Sequence, residues 1–138
     1  ANTTGAQNVG VGYEALLAST CGSCNTAIGM QSMRGNTTGA ANVAIGKNAL
    51  YANTTGTTNT AVGSYSMCQS TTASINVAVG RCSLRSNTTG CRNVAVGAGA
   101  ASATSTGVCN TAIGQGSFEI NTTGSNNVSV GTKSLYNN

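Results

Sequence analysis

A pentapeptide of the form Asn-[Val/Thr]-small-[Val/Ile]-Gly begins at Asn8, Asn25, Asn42, Asn59, Asn76, Asn93, Asn110 and Asn127, always 17 residues apart. A fixed short period means stacked units, each too small to enclose a core by itself. Seventeen residues suit one coil of a β-solenoid and are about half of what a helix-pair repeat needs. The spacing predicts an all-β chain, a parallel β-solenoid (β-roll) of eight 17-residue coils forming a single domain over 1–138. The units are 2–18, 19–35, 36–52, 53–69, 70–86, 87–103, 104–120 and 121–137, with consensus N-T-T-G-x-x-N-[V/T]-A-[V/I]-G-x-x-[A/S]-[L/M]-x-x. Asn138 opens a ninth unit, so the phase predicts a segment of a longer array, or chains that stack end to end.

Repeat positions 8 and 10 carry Val/Thr and Val/Ile, two residues apart and therefore on one face of a strand. That apolar face is expected to form the core, closed by the Leu/Met row at position 15 on a facing strand. Position 9 then points the other way. Its small residues, Ala27, Ala44, Ala61, Ala78, Ala95 and Ala112, are expected to let a second chain approach closely. The invariant Gly at position 11 predicts a positive φ that turns the chain out of the sheet. The Asn row at position 7 (Asn8, Asn25, Asn42, Asn59, Asn76, Asn93, Asn110, Asn127) predicts a structural hydrogen-bond ladder along the axis.

The composition excludes several functions. Charged residues are 6% of the chain, and there is no His, no Asp and no Pro. The two carboxylates, Glu14 and Glu119, lie in different units, so no nucleophile–base pair assembles except from Cys with Lys or Arg, and no enzyme is expected. No cofactor or metal is expected either, since calcium-binding rolls need Asp ladders. The cations Arg34, Lys47, Arg81, Arg85, Arg92 and Lys133 are scattered, with no aromatic platform, which argues against nucleic acid. No run approaches the ~20 apolar residues of a membrane-spanning helix.

The runs Asn42-Val-Ala-Ile-Gly-Lys-Asn-Ala, Asn25-Thr-Ala-Ile-Gly-Met-Gln-Ser and Asn127-Val-Ser-Val-Gly-Thr-Lys-Ser resemble the head repeats of trimeric autotransporter adhesins. They are also similar to repeats of phage and giant-virus fibre-like proteins. The resemblance covers all eight units. It implies a left-handed roll with two short strands per coil, three chains with small residues at the trimer axis, and a role in surface attachment. The repeat here is a few residues longer than the usual adhesin repeat, and its cysteines are unusual for such heads.

The six cysteines map onto nearby places in the coils. Cys68 and Cys82 are 14 apart and Cys91 and Cys109 are 18 apart, both near the period, while Cys21 and Cys24 share a unit. Coils ~4.8 Å apart fit disulfide geometry, so these pairs are disulfide candidates, with inter-chain bonds as the alternative. Asn-x-Ser/Thr occurs at Asn2, Asn36, Asn53, Asn87, Asn121 and Asn127, five of them at one repeat position in a Gly-terminated turn. These are glycosylation candidates, against the reading that Asn and Thr simply suit turns. Cysteines and sequons together point to an extracellular or surface-exposed setting.

Two non-catalytic functions remain. The first is a structural extracellular fibre or adhesin-like shaft built by stacking and lateral association. Its partners are copies of itself, as a lateral trimer or an end-to-end filament, with surface glycans or a host receptor as further partners. The second is an ice-binding solenoid, suggested by the row Thr3, Thr20, Thr37, Thr54, Thr71, Thr88, Ser105 and Thr122. That surface needs two parallel Thr rows on one face, whereas the Thr residues here are adjacent and point to opposite sides of a strand.

Overall fold

The computed structural model describes residues 2–137. Eight three-residue strands occupy repeat positions 8–10: β1 (Val9–Val11), β2 (Thr26–Ile28), β3 (Val43–Ile45), β4 (Thr60–Val62), β5 (Val77–Val79), β6 (Val94–Val96), β7 (Thr111–Ile113) and β8 (Val128–Val130). They form one parallel sheet in chain order. Ala44 pairs with Ala61 and Ile45 with Val62, a shift of one repeat. The all-β solenoid is therefore as the period predicts, and no helix occurs among the described residues.

Each coil has one strand, not two. The rest of the coil is a series of turns bonded to the next coil through isolated backbone contacts, such as Leu50 N to Ser66 O at 3.0 Å. Repeat positions 6, 13 and 15 take left-handed backbone, for example Thr58 (φ 57), Asn48 (φ 57) and Leu50 (φ 49). These residues bend the chain into a closed contour, at a cost of about 1–2 kcal/mol for each non-Gly residue held there. The position-15 side chains still close the core, because Met33, Leu50, Met67, Leu84 and Phe118 are fully buried.

The strand faces are the reverse of the expected arrangement. Ala27, Ala44, Ala61, Ala78, Ala95 and Ala112 are all at 0% exposure and form the core, so they cannot be chain–chain contacts. Positions 8 and 10 point outward. The cause is parity. The Asn at position 7 points inward, and side chains two apart share a face, so position 9 points inward as well. A narrow coil that already holds a Leu or Met at position 15 has room only for Ala opposite.

The expected Asn ladder is present and is denser than a single row of side-chain contacts. Each position-7 Oδ1 accepts the backbone N–H of the next Asn at 2.9–3.1 Å. Each Nδ2 donates to the position-4 carbonyl of the next coil at 2.7–2.9 Å. The position-11 glycines take φ near 130°, as predicted. A Cβ at Gly46 would also lie 2.7 Å from the carbonyl carbon of Gly63, so the coils stack backbone on backbone there.

A second ladder, at position 1, is broken. Asn53 Nδ2 donates to Asn36 Oδ1 at 2.8 Å and to Gly56 O at 3.0 Å. The next residues in the row are Ser70 after Asn53 and Thr104 after Asn87. Both are too short to reach, which leaves Asn53 Oδ1, Asn87 Oδ1, Ser70 Oγ and Thr104 Oγ1 buried without partners among the described residues. Ser70 coincides with Ala73, the only non-Gly residue at position 4. A Cβ at Gly39 or Gly56 would collide with the Asn Oδ1 of its own turn, so Asn at position 1 requires Gly at position 4.

Two tests follow from this packing. Thr104→Asn, with Gly107 already in place, should stabilise the fold by about 1 kcal/mol in chemical denaturation. Ser70→Asn should do so only together with Ala73→Gly, giving a positive coupling in a double-mutant cycle. The reversed strand faces make a separate forecast. Ala61→Leu should overpack the core and destabilise by about 1–3 kcal/mol, whereas Val62→Thr next to it should shift monomer stability by less than about 0.5 kcal/mol.

Candidate functional site

The outward strand face is two columns wide and eight coils long. Val/Ile at position 10 remains 37–41% exposed in inner coils, at Ile28, Ile45, Val79, Val96 and Ile113. Position 8 adds Val77 and Val128, with Thr26, Thr60 and Thr111 between the valines. Rungs ~4.8 Å apart and columns ~7 Å apart give a flat, mostly apolar strip of roughly 400 Å². A strip of this size is where a soluble monomer's largest apolar patch usually lies, and such patches mark contact sites. None of the eight charged residues sits at position 8 or 10.

The charges gather instead on the turns at positions 12, 13 and 16, where seven of the eight are found. In the first coils they form a network. Glu14 accepts from Gln31 Nε2 at 2.8 Å and Arg34 Nε at 2.7 Å. Those hydrogen bonds, Gln31's first and then Arg34's, hold the Glu14 carboxyl below its ordinary range. The Arg34 guanidinium lies 5.9 Å from the Tyr51 ring centroid, and Lys47 lies 5.8 Å from that of Tyr65. Arg34–Glu14 is the one ion pair among the described residues. It is partly exposed and adds little stability.

The expected disulfides are not formed. Cys21, Cys24, Cys68, Cys82, Cys91 and Cys109 are all free thiols. Side chains stack in columns 17 residues apart, so Cys68 lies over Arg85, with Sγ 3.9 Å from its carbonyl oxygen, and not over Cys82. A separation of 18 brings backbones together, with Cys109 N donating to Cys91 O at 3.1 Å, but the two side chains occupy successive contour positions. Partial burial pushes the Cys68 thiol up, while hydrogen bonds, chiefly from Thr4, draw Cys21 down.

The sequon row is also a correction. Asn36, Asn53 and Asn87 are at 0% exposure and Asn121 at 6%. The Nδ2 atoms of Asn36, Asn53 and Asn87 donate to the carbonyls of Gly39, Gly56 and Gly90, each at 3.0 Å. A glycan on those atoms has no room in this fold. Asn2 is exposed and Asn127 half-buried, and Asn127 belongs to the position-7 ladder. With thiols free and four of the six sequons inside, neither feature places the chain outside the cell. The position-2 Thr hydroxyls are committed too. Thr3, Thr20, Thr37, Thr54, Thr71, Thr88 and Ser105 each donate to the carbonyl of the next Thr or Ser in the row at 3.0–3.2 Å, so these seven hydroxyls offer water no free donor.

Comparison with protein-family models, curated proteins and solved structures gives no match for this chain. The functional reading therefore rests on the two surfaces just described.

Asn53 separates the sequon reading from the ladder reading. Asn53→Ala should destabilise by about 1–3 kcal/mol, because Asn36 Oδ1 loses its donor while Gly56 O keeps only the one from Asn42 Nδ2. In a glycosylating host the folded protein should show no glycan at Asn53, and the variant's intact mass should change only by the side chain. A glycan at Asn53 in the folded fraction would overturn the placement.

Proposed function

We propose that this chain is a structural rod that associates laterally with copies of itself, as the shaft or head of a fibre or adhesin-like assembly. The carrying observation is the charge-free Val/Ile strip along the outward strand face. A second copy is the occupant that fits, because only another solenoid presents rungs at the same ~4.8 Å spacing over the same length. One strip against another buries on the order of 800 Å² in total, below the ~1,200 Å² of a standard interface. Lateral cohesion in this design therefore grows with the number of coils and favours closed bundles, where each chain meets two neighbours. A trimer is the smallest such bundle.

Sedimentation velocity and light scattering test this directly. The chain should associate reversibly at tens of micromolar. Ile45→Lys/Val79→Lys/Ile113→Lys should be monomeric with an unchanged thermal midpoint, because all three side chains already face outward. A chain that stays monomeric at about 200 µM, or a triple variant that associates as the parent does, would sink the lateral reading.

A further inference from the structure

Positions 12–17 of the sixth coil read Ala98-Gly-Ala-Ala-Ser-Ala103, with nothing larger than Ser. Neighbouring coils carry long side chains at these positions, so the run leaves a notch of about 350 Å³ in the charged face. Its floor is Ala98, Gly99, Ser102 and Ala103. Arg81 and Arg85 form one wall, and Glu119 and Lys133 the other. Glu119 folds back over Gly116 of its own coil, where a Cβ would lie 2.7 Å from its Oε2, and its Oε1 reaches the floor, 3.9 Å from a Cβ placed on Gly99.

None of these four charges is in an ion pair among the described residues. Arg81 Nη1 has only the Cys82 Sγ at 3.8 Å. Lys133 lies 5.9 Å from the Tyr136 ring centroid. Three cations face one carboxylate, so the notch attracts an anion. A bare oxyanion is not the best complement, since the Glu119 carboxylate would repel it from half the space. Nor is a zwitterion, because Lys133 beside Glu119 already supplies a cation there. The pattern suits a ligand with an anionic group at Arg81 and Arg85 and neutral hydrogen-bond donors at Glu119.

We infer that this notch is a binding site for an acidic sugar, a hydroxylated ring bearing a carboxylate. The carboxylate takes the guanidinium wall, where paired N–H donors match its two oxygens. The ring hydroxyls donate to Glu119 and exchange hydrogen bonds with Ser102 and Gln115. The volume is that of a small-ligand pocket. The site lies within one chain and is independent of lateral association.

Glucuronate, glucose and sulfate titrated separately into the 138-residue chain, followed by amide NMR shifts, test the site. Glucuronate should shift residues 81–86, 98–103 and 115–119 with a dissociation constant on the order of 1 mM. Raising salt from about 50 to 300 mM should weaken it several-fold. Arg81→Gln/Arg85→Gln should weaken it at least about tenfold. Ser102→Tyr should abolish it by filling the notch, and position 16 accepts Tyr at Tyr51 and Tyr136. Unchanged circular dichroism melts would confirm that both variants fold. Glucose binding as well as glucuronate, sulfate matching it, or shifts persisting in Ser102→Tyr would each overturn the assignment.

Discussion

The position-7 asparagine ladder is the interaction on which the rest of this fold depends. From Asn25 to Asn110 each side chain is buried and joins its own coil to the next through two kinds of bond, to a backbone N–H and to a turn carbonyl. Net, such bonds contribute about 0.5–1.5 kcal/mol each, but an unpaired partner left inside costs about 1–3 kcal/mol. The ladder is therefore strict about register: a slip of one residue strands polar atoms in every coil. It also fixes strand parity. With Asn inward at position 7, position 9 must be inward and positions 8 and 10 outward. The Val/Ile strip is a consequence of where the asparagines go.

That dependence explains what the sequence made legible. The period alone yields the solenoid, its eight coils and their register, because a 17-residue repeat has few other ways to bury anything. The position-11 glycines and the Asn ladder follow from the same spacing. The strand faces run against the hydrophobic pattern, in which Val and Ile are usually the buried members of an alternation. The signal that outranks hydrophobicity here is a polar residue repeated without exception at a strand's start. An invariant Asn that bonds along the axis is inside, and its parity settles the rest. In the same way, position 1 looked like a surface sequon because Asn-Thr-Thr-Gly is good turn chemistry. The coupling of Ser70 to Ala73 shows instead that Asn and Gly there share one tight, buried turn.

Other features were out of reach for physical reasons. Left-handed backbone at Leu50, Met67 or Ile75 has no compositional mark, since these residues ordinarily avoid it. They hold it because stacking fixes the contour of each coil to that of its neighbours. Cysteine pairing failed for a related reason. Being near the period is not enough in a solenoid, where columns are strict and a displacement of three positions moves a side chain to another part of the contour.

The surfaces divide the work by position in the repeat. The position-7 asparagines and position-11 glycines do not vary, and the strand face stays uncharged and mostly apolar through all eight coils. Variation is greatest in the turns at positions 5, 6, 12, 13, 16 and 17, where a change costs only local contacts. A coil can therefore exchange its turn residues without disturbing the stack, as the sixth coil does with its run of small residues. A uniform face suits association that scales with length, because each added coil repeats the same contact. An irregular face suits recognition, because a ligand needs one place unlike the others. Among the described residues, four of the six charged groups without an ion-pair partner (Arg81, Arg85, Glu119 and Lys133) line that one irregular coil, while the paired ones, Glu14 and Arg34, lie where the turns are regular and filled.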